Sequence, residues 1–483
     1  MSFDTLPTEL DNRILSSLDR NALNAMSMVS KTYRSVTEPL LYRHIDLATD
    51  QYDQVRWLVL TLLLRPELAA HIRVASLTET DVPPDRGPDA VHATRTASDH
   101  LERALDILHK TVLDAFGSGG DLAKARVSWM GAILAEDHVE GSFALIISLA
   151  VNIESITLTD IVAVGGLTGR QGDVLTHVLH HLCRCSHHEP PQARHSIDPA
   201  QRLCRFSKLR HIHFETRSSI TLDSLPCVEV LRIRGCDQVL ISRTSPPTHL
   251  HLTSLRTLEL VDTRGLIDDI CGIFSNERVP ILTNLRLRIS LLYGSFQPIV
   301  EALSQHCRQL KQLDIGFLDD ERNDYKPLDN LATLTELSTL RIDLDLLVDY
   351  HDRSGLLNLN TLLPPRLAVL HIRSIDEEEF LQLIEPYITT SANYIASDFG
   401  HLYQLALLVS VQELSVTVDF GSDYDEYDDE DFRPVKAFLT FIASNVRTRA
   451  GTLFQVYRPA RDQEREPKLL VDDNGYYGEI LRD

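Results

Sequence analysis

Two groups of residues in this 483-residue chain have side chains suited to chemistry. The first is a run of imidazoles and thiols: His177, His180, His181, Cys183, Cys185, His187 and His188. Imidazole and thiolate are the usual zinc ligands, and structural zinc sites hold them as spaced pairs. Here a Cys-x-Cys stands beside adjacent histidines, and no second pair lies at the usual distance. The run reads as a helix over 174–182 that packs Val178 and Leu182, and no metal ligand is assigned. The second group is guanidinium. Arg232/Arg234 and Arg286/Arg288 are spaced by two, and alternate strand positions point the same way. Guanidinium forks match carboxylate and phosphate groups. With Arg341 and Arg373 they are the candidate contacts for an acidic or phosphorylated target. The competing assignment pairs them across strands with Glu259, Asp314 and Asp343.

No catalytic constellation accompanies these groups. Gly165-Gly166-x-x-Gly169-x-x-Gly172 lacks the Lys-Ser/Thr of a phosphate loop and the spacing of a dinucleotide fingerprint. Neither a Gly-x-Ser-x-Gly elbow nor a His-Glu-x-x-His occurs. Cys204, Cys227, Cys236, Cys271 and Cys307 sit in or beside apolar segments, as small buried hydrophobes do. The expectation is a non-catalytic chain with no cofactor.

The elements that would carry the arginines form a repeat. An apolar-x-x-apolar-x-apolar pattern recurs at Ile153/Ile156/Leu158, Leu209/Ile212/Phe214, Val228/Leu231/Ile233 and Leu255/Leu258/Leu260. It continues at Leu282/Leu285/Leu287, Leu310/Leu313/Ile315, Leu337/Leu340/Ile342, Leu367/Leu370/Ile372 and Val411/Leu414/Val416. Five of the eight spacings lie between 27 and 30 residues, a regularity expected of stacked repeats. One spacing of 56 is twice 28 and has room for a hidden unit. The run Leu68 to Leu77 suggests an earlier strand. Leu266–Ser275 and Phe296–Leu310 have helical periodicity, and a final helix is expected from Arg433. The residues between the apolar strand positions would share one face. Across nine units they include six Arg and five acids, against a chain net charge of −22.

Residues 1–50 read as a compact helical module. Thr8 and Asn21 are candidate N-caps. Leu10, Ile14, Leu15 and Leu18 fall on one helical face, and Leu23, Met26 and Val29 on another. A module this small buries little surface of its own. Either it caps the following domain or its apolar stripe docks on another protein.

The order Leu6-Pro7-x-Glu9-Leu10, Ile14-Leu15, Leu18-Asp19-Arg20, Val29-Ser30-Lys31-x-Tyr33-Arg34 and Pro39-Leu40-Leu41-Tyr42-Arg43 resembles an F-box of the fungal type. Tyr33 and Ser30 stand where many members have Trp and Cys. The mid-chain repeat resembles a divergent leucine-rich repeat. That family's Asn/Cys position is filled here by Cys236, Thr263, Ser290, Leu318, Asp345 or Ile375. The resemblance implies an α/β chain: an N-terminal three-helix F-box-like module, then an irregular leucine-rich-repeat solenoid. The expected divisions are an adaptor-binding module at 1–50, a helical linker with the first solenoid units at 51–150, the solenoid at 151–420, and an acidic loop with a C-terminal cap at 421–483. It also implies a Skp-family adaptor as partner, bound by Leu6, Pro7, Leu10, Ile14, Leu15, Leu18, Leu23, Val29, Ser30, Lys31 and Tyr33. Through the adaptor comes a cullin scaffold. The function implied is target recognition for a Skp–cullin–F-box ubiquitin ligase. The alternative is an adaptor-binding scaffold acting outside ubiquitination.

Composition agrees with an interaction protein. The charge of −22 disfavours nucleic acid and anionic membrane as partners. No stretch approaches the roughly 20 apolar residues of a membrane span. The N-terminus lacks the basic and apolar regions of a secretory signal. Seven sparse cysteines argue against a disulfide framework. The expected compartment is cytoplasm or nucleus.

Overall fold

The structure, a computed structural model, describes residues 8–78, 106–110, 130, 133, 139–159, 207–215, 220–222, 227–236, 239–241, 252–265, 267–274, 279, 281–291, 295–317, 328–343, 346–347, 362–376, 412–419, 453–458, 468–472 and 475–476. The chain is α/β and divides into two compact units, Met1–Leu255 and Arg256–Asp483.

The first unit opens with helices α1 (Thr8–Ser16), α2 (Arg20–Val29) and α3 (Lys31–Leu41). Asp19, not Asn21, caps α2: its extended backbone (φ −72°, ψ 170°) lets the carboxylate accept the Ala22 N–H at 2.7 Å. Asn21 lies inside the helix, where its side chain cannot reach those first free N–H groups. Ser30 caps α3 by accepting the Tyr33 N–H at 3.1 Å.

Five strands of this unit pair in parallel and in chain order: β1 (His44–Ala48), β2 (Val74–Thr78), β3 (Ser155–Thr159), β4 (His211–Glu215) and β6 (Val230–Arg234). The helical module expected over 1–50 therefore ends early. Residues 44–48 alternate, with Ile45 and Leu47 buried and His44 and Asp46 exposed, which is the period of a strand. Strand β2 realises the early strand suggested near Leu77. Strand β3 pairs directly with β4; most of the 56-residue spacing, with its room for a hidden unit, lies outside the described residues. Two short strands, β5 (Ile220–Leu222) and β7 (Val239–Ile241), form a separate parallel pair. Helix α4 (Tyr52–Leu64) follows β1 and the short α5 (Pro66–Ala69) leads into β2. Val55, Val59, Leu62 and Leu63 are buried on α4, which packs against α6 (Val139–Leu149).

The second unit has β8 (Thr257–Gly265), α7 (Ile267–Phe274), β9 (Asn284–Leu291), α8 (Gln297–His306), β10 (Gln312–Phe317), β11 (Thr339–Asp343), β12 (Val369–Asp376), β13 (Glu413–Asp419) and β14 (Leu453–Arg458). Strands β8 to β14 are parallel and in chain order. Strands β15 (Lys468–Asp472) and β16 (Gly475–Tyr476) then close the sequence in antiparallel fashion. The final helix expected from Arg433 falls on 433–452, outside the described residues; the described residues that follow, 453–458, 468–472 and 475–476, are strands.

Register explains the repeat. Leu258, Leu285, Leu313, Leu340, Leu370 and Leu414 are successive partners, as are Leu260, Leu287, Ile315, Ile342, Ile372 and Val416. From β8 to β12 both rows are buried, each side chain contributing about 1.5–3 kcal/mol of hydrophobic stabilisation. The first apolar residue of the repeat closes a turn: Leu282 donates to the Val279 carbonyl, Leu310 to Cys307, Leu337 to Leu334 and Leu367 to Pro364. The residue before each strand then accepts two N–H groups from the next repeat. Thr283 takes those of Lys311 and Gln312, Lys311 those of Ser338 and Thr339, and Ser338 those of Ala368 and Val369. Arg43, Arg73, Glu154 and Arg210 play this part in the first unit. Each crossing thus enters its ladder with its backbone polar groups satisfied.

Candidate functional site

The N-terminal helices distribute their apolar residues unevenly. Leu15 and Leu23 are buried within the chain, and Leu18 and Tyr33 are half-buried. Leu10 and Ile14, four apart on α1, are 48% and 39% exposed, and Met28 and Val29 at the end of α2 are 75% and 67% exposed. Lys31 is exposed. Leu6 and Pro7 lie outside the described residues. The eleven candidate adaptor contacts are therefore of different kinds. Leu10, Ile14 and Val29 offer apolar surface, Leu15 and Leu23 hold the helices together, and Ser30 is committed to a cap. Met28 was missed by sequence reasoning because it falls off the Leu23/Met26/Val29 stripe, although Val29 on that stripe is exposed as well.

The six candidate arginines fall on both units. In the first, Arg232 and Arg234 of β6 stand beside His213 and Glu215 of β4. Arg232 is exposed, and the Arg234 Nε is buried without a hydrogen-bond partner. In the second unit four arginines share a face with two aspartates. One transverse row runs Glu259, Arg286, Asp314, Arg341, His371 and Ser415; the next runs Val261, Arg288, Gly316, Asp343 and Arg373.

These rows are not simply outward-facing, as the strand alternation suggests. Asp314, Asp343, Val261 and Ser415 are buried. For the two aspartates the reason is that Arg373 reaches over β11 to β10. Its Nη1 is 2.6 Å from Asp314 Oδ1, its Nε is 3.3 Å from Asp343 Oδ1, and its Nη2 donates to the Ile315 carbonyl at 3.1 Å. Arg286 Nε stands 3.4 Å from Asp314 Oδ2. The Phe317 N–H donates to Asp343 Oδ2 at 2.7 Å. Gly316 makes this possible: a Cβ there would collide with the Asp343 carboxylate. Cross-strand pairing thus accounts for Arg286 and Arg373. Among the described residues, Arg288 and Arg341 have no ion-pair partner.

The electrostatics follow from crowding. Burial pushes the Asp343 carboxyl up, while Arg373 and the Phe317 N–H pull it back down. Burial lowers the affinity of Arg288 for its proton, and Arg373 adds to the effect. His371 is pushed down to about 4 by burial, then by Arg373 and Arg341. Its Nδ1 shares a hydrogen bond with the Ser415 hydroxyl. That contact is not a nucleophile–base pair. Two guanidiniums oppose the imidazolium that a general base must become, and Ser415 is inaccessible.

Burial raises the thiols of Cys271 and Cys307 to about 11 and about 12, so neither is a reactive thiolate; Cys236 is also buried. Cys236 follows Gly235 (φ 66°), and buried Thr263 follows Asp262 (φ 54°) at a bulge in β8. Two of the assigned Asn/Cys positions thus have a similar local setting. No group of three or more metal-ligating side chains occurs among the described residues, and the 177–188 run lies outside them. No described helix is long and apolar enough to cross a membrane. No family model and no curated protein matches the chain.

Proposed function

We propose that the chain is the substrate-recognition subunit of a Skp–cullin–F-box ubiquitin ligase. In this reading the N-terminal helices are an F-box-like module that binds a Skp-family adaptor, and the parallel-strand repeats are a leucine-rich-repeat-like solenoid that binds a target. The observation that carries it is the exposed apolar set Leu10, Ile14, Met28 and Val29, within a segment whose residue order resembles an F-box. Large apolar side chains left in water on short helices are what helix-in-groove docking uses as anchors. The repeat supplies the second half: a strand face whose charged residues are held in fixed register, suited to a protein partner. Such a receptor works by proximity, raising the target's effective concentration near the charged ubiquitin carrier. The bond-making groups then belong to other subunits, and this chain needs no cofactor.

The test is co-expression with a Skp-family adaptor, comparing wild type with Leu10→Asp/Ile14→Asp. These two residues are exposed, so the variant keeps its fold, whereas substitution of buried Leu15 would not separate docking from folding. Anchor residues at such interfaces cost about 2 kcal/mol or more each, so the double variant is expected to lose roughly 100-fold or more in affinity. Wild type that fails to bind, or a folded variant that binds equally well, defeats the proposal. Cullin recovered with the bound adaptor separates the ligase receptor from a scaffold acting outside ubiquitination.

A further inference from the structure

Charge on the face of β9 to β12 is divided unequally. Asp314 and Asp343 each present two carboxylate oxygens: three lie within ion-pair distance of Arg286 or Arg373, two of them (Asp314 Oδ1 and Asp343 Oδ1) as charge contacts without a hydrogen bond, and the fourth accepts the Phe317 N–H. Two cations remain. Arg341 is exposed on β11, and Arg288 is half-buried on β9 with its Nε sealed from water and without a hydrogen-bond partner. A guanidinium that has lost part of its hydration and gained no paired anion is held at a cost, which an incoming anion would remove.

We propose that Arg288 and Arg341 bind an extended, carboxylate-bearing segment of a partner polypeptide, while the Arg286–Asp314–Arg373–Asp343 lattice beneath them fixes their positions. The inference rests on the target-binding half of the function proposed above and names the chemistry of the target.

Spacing selects carboxylates over a single phosphate. Register puts Arg288 beside Gly316 and Arg341 beside Asp314, two strands and two residues apart. At about 4.8 Å between strands and about 3.3 Å per residue, their Cα atoms lie roughly 12 Å apart. One dianion would meet both guanidiniums only if the two side chains lean toward each other. Two monoanions three or four residues apart on an extended chain would meet both. The lattice contributes by neutralising Arg286 and Arg373, so the face does not attract anions indiscriminately. Gly316 contributes by letting Asp343 lie close over β10, which keeps that carboxylate turned to Arg373 and the Phe317 N–H.

The experiment measures binding of fluorescent hexaglutamate to the full chain by anisotropy. Hexaglutamine and a neutral peptide with one phosphoserine serve as comparison probes. Hexaglutamate is expected to bind, and to weaken as salt is added. R288Q/R341Q should weaken it about 100-fold, since a hydrogen bond to a charged group is worth about 10-fold or more at each position. R288K/R341K, which keeps the charge without the fork, should fall between. R366Q, which removes a surface cation paired with Glu336, should bind as wild type does. No binding by wild type, equal binding by the folded R288Q/R341Q variant, or binding of the phosphoserine peptide alone would overturn the proposal. Adaptor co-purification is run on the same proteins. Hexaglutamate binding without adaptor binding leaves this site standing and removes the ligase reading. Adaptor binding with no hexaglutamate binding does the reverse.

Discussion

His371 shows how much a neighbourhood decides about one side chain. Arg341 on β11 and Arg373 on β12 bear on it, with Asp314 on β10 as counter-charge and Ser415 on β13 as hydrogen-bond partner. The folded chain holds the imidazole neutral down to about pH 4, against an ordinary value of 6.5. Between those values the unfolded chain takes up a proton that the folded chain refuses. Stability therefore falls as pH drops through that window and levels off below it, by on the order of 3 kcal/mol at most from this group. Urea unfolding at neutral pH and near about pH 5 should show the loss, and His371→Gln should flatten that part of the slope. An unchanged slope would show that burial, with Arg373 and Arg341 beside it, does not hold the imidazole neutral. Asp343 is the opposite case: burial alone would favour its neutral form, while Arg373 and a backbone N–H work to keep it charged.

At the scale of an element, caps and pairs decide where helices stop and what they hold. Ser30 illustrates a residue with two candidate roles. The F-box resemblance makes it an adaptor contact, whereas its hydroxyl caps α3 by accepting the Tyr33 N–H. Ser30→Ala is expected to cost about 1 kcal/mol of stability by thermal melting, with adaptor affinity per folded molecule unchanged. A large loss of affinity at unchanged stability would reverse that assignment. Helix α3 is also tied to the segment after α4. Arg65 grips both Glu38 oxygens at 2.9 Å and Glu67 at 3.0 Å, holding the Glu38 carboxyl below its usual range. This fork joins helical residues to the first crossing between strands.

Across the molecule, stability should be distributed along the chain. Among the described residues, strands β9 to β12 each pair in parallel with the strand before and the strand after, an arrangement in which stability is passed between neighbours. Leu313 sits between Leu285 and Leu340 in the buried row. Leu313→Ala is expected to cost about 2–5 kcal/mol. Hydrogen exchange should show the loss first in β9 to β11, with β1 to β4 keeping their protection. A uniform loss over the whole chain would show a single cooperative structure instead.

The repeat was legible in the sequence because burial on a strand has a fixed period. Leu258/Leu260, Leu285/Leu287 and Leu313/Ile315 could be aligned by spacing alone, and the register pairs them as spaced. The helices α7 and α8 were legible for the same reason, with ends shortened by a few residues. Asn21 was the wrong cap because composition does not say which of three polar residues has extended backbone. The strand at 44–48 was hidden because five alternating residues resemble the end of a helical motif until a partner strand is present. The arginines were found as a set, but their division was not. Local pattern determines which residues share a face. Only tertiary structure decides that Arg373 crosses β11 to neutralise Asp314 and Asp343 while, among the described residues, Arg288 and Arg341 have no ion-pair partner, because that choice depends on side chains brought together from strands distant in sequence.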